Sequence, residues 1–396
     1  MPEACDSWHI AWHTRPWREA AYVGEQLLRG WSVRGSSCHG CEEPLQRFQD
    51  ACAVVSYEEK PALEEPALED CSAVVVRIRQ WPHCAATTQI ARRYRAAGLR
   101  HFFVLVGEEH ERSCASCPEF FAIAPLVARH YHEPSCDRLP SVLTLPMGVI
   151  AGTSAITSAL EQLATQRAAA LTSREAGRDN AELGAIEGPP EVGPTERPAS
   201  RRRLAWSFAS SVHSEARTRL TEFLQRSAAA LAMPHTLFYP WAPRPGERQP
   251  STEYLRTLCD SAFVFCPRGT HEDTWRFYEA AACGAIPIVT DRSYWARFMP
   301  EDVVELLLET RCDFTLTTTG RRRDDITTCS ERSFEATVDA IGALLARPEA
   351  LDARQRALRS ALARYDSSWR AELAVRARAL EVDGEHSEAM ALPPPR

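Results

Sequence analysis

Residues 261–290 constrain the fold of this chain more than any other stretch. Phe263, Val264 and Phe265 form an apolar run closed by Pro267 and Gly269, the pattern of a buried parallel strand. Asp273 or Thr274 then caps a helix through Ala282, Gly284 stops it, and Ile286 to Val289 form the next buried strand. The spacing predicts one right-handed βαβ unit.

The same alternation recurs upstream. Trp8 to Trp12 is the first strand candidate, Val74 to Ile78 is a β-branched strand, Thr87 to Ala97 is a helix closed by Gly98, and His101 to Val106 is a strand running into Gly107. Ile123 to Tyr131 reads as a strand, and Leu143 to Gly148 as a strand ending in a turn. Ala155 to Ala176 is helix-compatible, and Gly184 to Ser200 holds four prolines among Gly and Glu. That composition predicts a helix followed by disorder. Order resumes with a strand at Arg203 to Phe208 and a helix at Ser214 to Leu224. With 396 residues and 44% hydrophobic content the chain can build two ordinary domains. The expected division is an α/β domain over 1–154, an insertion and linker over 155–202, a second α/β domain over 203–354, a helix over 355–380 and a disordered tail over 381–396.

Charge and cysteine content narrow the function. A net charge of -7 argues against a general nucleic-acid binder, which needs a basic face. Asn180 is the one asparagine, and Ala181 and Glu182 follow it, so no Asn-x-Ser/Thr acceptor is present. No apolar run approaches the roughly 18 residues of a spanning helix, and no signal peptide is visible. The 14 cysteines permit disulfides in an oxidising compartment. Cys38 with Cys41 and Cys114 with Cys117 have CxxC spacing, open to three readings: one shared zinc, local disulfides, or buried free thiols.

Cys266-Pro-Arg-Gly269, Asp273-Thr-Trp-Arg-Phe-Tyr-Glu-Ala280 and Gly284-Ala-Ile-Pro-Ile-Val289, in this order and spacing, resemble the C-terminal signature of exostosin-like glycosyltransferases, including the ribitol xylosyltransferase branch. Arg129-His-Tyr131 followed by Leu145-Pro-Met-Gly148 is similar to that family's passage between domains. The resemblance implies a GT-B-like architecture, two Rossmann-type domains facing a cleft, with a sugar nucleotide held by the C-terminal one. It implies inverting transfer from a nucleotide-diphosphate donor, UDP-sugar first, to a hydroxyl of a glycan acceptor. It also implies a closing helix that crosses back to the first domain, around Leu358 to Tyr365. Family members sit in the Golgi lumen by an N-terminal anchor; this sequence shows none, so a membrane association would need an anchor outside it, and a cytoplasmic location is the alternative.

The residue types suit that chemistry. Arg268 beside Gly269 offers a planar guanidinium at a turn able to approach phosphate, and Arg276 lies in the first turns of the next helix, whose free amides attract anions. Asp273, a candidate cap of that helix beside Thr274, is counted with the donor-binding residues. Glu279, three residues after Arg276, shares its face and can accept from both ribose hydroxyls. Ser210, in Ala209-Ser210-Ser211, stands where the family has a Gly-rich turn. No Asp-x-Asp pair is present, so the expected mechanism needs no metal or other cofactor and uses Arg268 and Arg276 against the leaving diphosphate. Glu108, Glu109 and His110 follow an apolar strand at its C-terminal end and are the candidates for the general base. Three alternatives stay open: a solvated Arg276/Glu279 ion pair, a sugar or nucleotide-sugar binding module without turnover, and a zinc- or redox-organised interaction protein built on the CxxC pairs.

Overall fold

A computed structural model of the chain describes residues 7–12, 32–33, 73–78, 84–96, 100–105, 113–148, 165, 197–209, 215–238, 252–269, 272–316 and 325–380. It divides into two compact units, Met1–Pro146 with Asp366–Arg396, and Met147–Tyr365.

In the first unit, β1 (Ser7–Trp12), β2 (Ser32–Val33), β3 (Ala73–Ile78), β4 (Arg100–Leu105), β5 (Val127–Arg129) and β6 (Val142–Thr144) form a parallel sheet in the order β2-β1-β3-β4-β5-β6. Helix α1 (Cys84–Ala96) links β3 to β4, while α2 (Ser113–Ser116) and α3 (Pro118–Ile123) precede β5. Phe103, Leu105, Phe120 and Val127 meet in one buried cluster. The strand expected over 123–131 is shorter than its apolar content suggested. Pro118 opens α3, which buries Phe120 and Phe121, and only Val127–Arg129 pairs in the sheet.

Disulfides pin this corner. Cys84 pairs with Cys117 and Cys114 with Cys136, so the second CxxC pair is neither a local disulfide nor a pair of free thiols. Each bridge fastens a separate piece of chain to the region before β5. Cys38 and Cys41 lie outside the described residues.

The second unit has β7 (Leu204–Ala209), β8 (His235–Phe238), β9 (Ser261–Phe265), β10 (Ile286–Val289) and β11 (Leu308–Glu309), all parallel, in the order β11-β10-β9-β7-β8. Helices α4 (Glu215–Arg226), α5 (Thr252–Cys259) and α6 (Trp275–Ala282) connect them, and an antiparallel pair, β12 (Cys312–Leu316) with β13 (Asp325–Cys329), follows β11. Trp206, Phe263, Phe265, Phe277 and Trp295 are almost fully buried, with Phe277 stacked on Trp295 at 4.1 Å between ring centres. The chain builds β7 then β8 on one side and returns to build β9, β10 and β11 on the other. The order therefore reverses between β7 and β9, and open parallel sheets bind ligands beyond the carboxyl ends of the strands flanking such a reversal. Parallel sheets of this kind, one in each unit, are the α/β class expected from the sequence.

Two helices close the chain, α7 (Glu331–Leu345) and α8 (Pro348–Ala379). Helix α8 begins in the second unit and enters the first at Asp366. Arg376 then donates to the carbonyls of Pro140 and Val142, at 2.8 and 3.3 Å. Near the other end, buried Gln355 donates to Gly284 O at 2.6 Å and accepts from Ala199 N at 2.8 Å, while Asp352 accepts from both Ser200 N and Oγ. Residues 197–202, expected as the end of a linker, are thus fastened to the second unit.

Candidate functional site

Strand β9 ends at Phe265, and the chain turns through Cys266, Pro267, Arg268 and Gly269. The turn hangs from the end of β10. Cys266 N donates to Ile288 O at 2.8 Å, and Arg268 N donates to Thr290 Oγ1 at 2.8 Å. From the β7 side of the reversal comes Arg217, on the first turn of α4, whose Nε donates to Arg268 O at 3.1 Å. A Cβ on Gly269 would stand 2.7 Å from Arg217 Nη2. Glycine at 269 leaves room for that guanidinium.

Helix α6 forms where the sequence placed it. Thr274 occupies the N-cap with extended backbone, although its side chain makes no capping hydrogen bond. At the other end Gly284 N donates to Ala281 O and Ala285 N to Ala280 O, the paired bonds of a Schellman stop, with Gly284 at φ 72. Arg202 and Gln355 take the carbonyls of Cys283 and Gly284. A disulfide between Cys259 and Cys283 joins the ends of α5 and α6. The helix is held from behind.

Its front carries charge. Asp273 is 2% exposed, and burial pushes its carboxyl up to about 8, with the Tyr278 hydroxyl and the Thr274 amide pulling the other way. Burial thus biases Asp273 toward its neutral form, and the N-cap position falls to Thr274. Glu279 is also 2% exposed, and its Oε2 accepts from Tyr254 Oη of α5 at 2.7 Å. Burial, reinforced by the Glu279 charge, holds the Tyr254 phenol well above its ordinary value, so it stays a donor. Arg276 is half-buried, with its guanidinium carbon 5.9 Å from the centre of the Phe208 ring, and its Nε and Nη1 have no hydrogen-bond partner among the described residues. A solvated Arg276/Glu279 surface pair does not describe this arrangement.

Cys266 is where these groups meet. Burial raises its thiol to about 12; the Arg276 and Arg217 charges pull it down while that of Glu279 pushes it up. Arg268 Nη1 stands 4.0 Å from Glu272 Oε1. The product is a turn with three guanidiniums about it, at the carboxyl end of the central strands.

Of the residues expected from the sequence, Arg268, Gly269, Asp273, Arg276 and Glu279 all belong to this turn and the helix after it. Ser210, Glu108, Glu109 and His110 lie outside the described residues. Arg217, Tyr254 and Thr290 were not anticipated. Arg217 alone had a sequence signal: a cation in the first turn of a helix opposes the helix dipole and so asks for a reason.

Two other places bear on ligands. Cys114, Glu133 and Cys136 bring potential metal-ligand atoms within 4.8 Å of one another. The sulfurs are joined as a disulfide and Arg129 Nη1 lies 3.1 Å from Glu133 Oε2, so this group offers a cation no thiolate and already holds a positive charge. A cavity of about 460 Å³ lies away from the turn, lined by Glu309, Arg311, Ser330, Thr337 and neighbours. Its polar side chains serve the fold: Ser330 caps α7 through Ser333 N, and Thr337 Oγ1 donates to Glu309 O at 2.9 Å. Among the described residues no helix is long and apolar enough to cross a membrane.

Residues 190–306 match the family described as RXYLT1 C-terminal domain, the ribitol xylosyltransferase branch that the motifs resemble. That span contains β7 to β10, the turn, and Arg217, Tyr254 and Glu279. The matched span lies within the second unit. Among solved structures the chain is similar to the α,α-trehalose 6-phosphate synthase of Burkholderia multivorans, at 11% identity over 80% of this chain and 73% of that one, TM-score 0.44. It is also similar to a UDP-forming α,α-trehalose-phosphate synthase of Burkholderia vietnamiensis, at 10% identity over 79% and 74%, TM-score 0.43. A third is an α-glucosyltransferase in complex with UDP and a 13-mer DNA, at 9% identity over 93% and 98%, TM-score 0.37. No curated protein matches the chain.

Proposed function

We propose that this chain is an inverting glycosyltransferase that moves a sugar from a nucleotide diphosphate, UDP first among the candidates, to a hydroxyl of a glycan acceptor. One observation carries the reading: Arg268, Arg276 and Glu279 gather at a glycine turn at the carboxyl end of β9, beside the strand reversal, within the span matched to a glycosyltransferase family. Guanidiniums held at the turn stabilise the charge that builds on a departing diphosphate, and they do so without reorganising at the moment of bond cleavage. Burial biases Asp273 toward its neutral form, which lessens its repulsion of an incoming phosphate. Glu279 is the acceptor for a ribose hydroxyl, with Tyr254 holding one of its oxygens.

The acceptor hydroxyl loses its proton to a general base, for which Glu108, Glu109 and His110 remain the assignment. The leaving group departs with the bond electrons as the nucleoside diphosphate while the acceptor oxygen bonds the anomeric carbon from the opposite side. The disulfides Cys84–Cys117, Cys114–Cys136 and Cys259–Cys283 support work in an oxidising compartment, in keeping with the Golgi lumen.

A donor screen tests this. The full chain is incubated with individual UDP-sugars and acceptor glycans, and UDP release is followed for the wild type, Glu279→Ala and Arg268→Ala. The reading expects release with one donor in the wild type and its loss in both variants. Binding of a UDP-sugar with neither transfer nor slow hydrolysis favours a binding module instead.

A further inference from the structure

The glycine turn has a second guanidinium laid across it. Arg217 donates Nε to the carbonyl of Arg268 and rests its Nη2 where a side chain at 269 would begin, 2.7 Å from the position of a Cβ. The first turn of a helix is the positive end of its dipole, so a cation at 217 is disfavoured there, and setting it beside Arg268 adds like-charge repulsion. An anion with two charged groups between the two side chains offsets both costs.

The topology supplies the place. Arg217 follows β7 and Arg268 follows β9, the two strands that flank the reversal of the sheet. Arg217 reaches the turn from the β7 side, and Arg268 is part of it. We propose that Arg217 is a further donor-binding residue, gripping the diphosphate jointly with Arg268, and that position 269 is glycine so that Arg217 can lie over the turn; this rests on the transferase reading above.

Gly269→Ala makes the proposal separable from folding. The atom that a new methyl would strike is the far end of a flexible side chain, so the guanidinium swings aside at little cost to stability, and every charge is kept. The test measures affinity of the full chain for UDP by calorimetry and for uridine by NMR titration, with melting temperatures as the folding control. Arg217→Gln and Gly269→Ala are each expected to weaken UDP about tenfold or more while uridine changes less than about twofold. The double variant binds UDP no more weakly than the worse single, since both remove one interaction. Arg217→Lys, which keeps the charge without the Nε bond to the turn, retains more affinity than Arg217→Gln.

Four results overturn the proposal. UDP affinity unchanged in Arg217→Gln but lost in Arg268→Gln removes Arg217 and leaves the donor site standing. Arg217→Lys as weak as Arg217→Gln makes the residue a brace for the turn only. Uridine weakened as much as UDP points to general damage. A wild type without affinity for UDP removes both this assignment and the functional reading beneath it.

Discussion

Two strand ends in this molecule carry arginines, and they use them for different ends. At β5, Arg129 is 1% exposed; its Nη1 donates to Glu133 at 3.1 Å, its Nε donates to His130 O at 3.2 Å, and it lies against the Cys114–Cys136 disulfide. Its charge is answered inside the protein. At β9, Arg268 Nη1 stands 4.0 Å from the buried Glu272, Arg276 covers an aromatic ring, and Arg217 adds a third guanidinium beside the turn. An answered charge fastens a fold, whereas cations gathered at a turn favour an anion from outside.

The largest effect that distinguishes the two corners is on stability. Arg129→Ala leaves Glu133 without its buried partner and is expected to cost about 3–5 kcal/mol in denaturant unfolding, with UDP affinity of the folded fraction unchanged. Arg268→Ala inverts the pattern. It should lower turnover by about 10²- to 10³-fold, roughly 3–4 kcal/mol of transition-state stabilisation, and shift the unfolding midpoint little. A comparable loss of stability in both variants would erase the distinction.

A smaller effect follows from Asp273. Its folded value of about 8 lies above the ordinary 3.8, so the folded chain binds the proton more tightly than the unfolded one. Its contribution to stability is complete below about pH 4 and is lost progressively as pH rises through about 8. Asp273→Asn should flatten that slope in melting curves taken across this window; an unchanged slope would mean that Asp273 ionises normally. Smallest is Tyr254→Phe, expected to cost about 1 kcal/mol of stability. Because it frees Glu279 to turn, it should also reduce the preference for UDP over 2′-deoxy-UDP and 3′-deoxy-UDP. Retained discrimination would show that Tyr254 has no part in orienting the carboxylate.

How far the sequence went depends on whether a feature is local. The β9 strand, its turn, α6 and β10 were legible because each boundary is written within a few residues: an apolar run, Pro267 and Gly269, Thr274, and a Gly284 that accepts positive φ. The run from Ile123 misled for the opposite reason, since Phe120, Phe121 and Ile123 serve a short helix as well as they would a strand and periodicity cannot separate the two. Disulfide partners were hidden because Cys114 and Cys117 find Cys136 and Cys84 only once β4, α3 and β5 are packed. Tyr254 and Thr290 were invisible likewise. They reach the site from elements whose spacing in sequence says nothing about their approach in space.

The central claim is that one turn and one helix hold the nucleotide. A crystal structure of the full chain with UDP tests it most directly. The account predicts the diphosphate within hydrogen-bond distance of Arg268 and the Gly269 amide, and a ribose hydroxyl on Glu279. UDP bound elsewhere, with these side chains untouched, would contradict it.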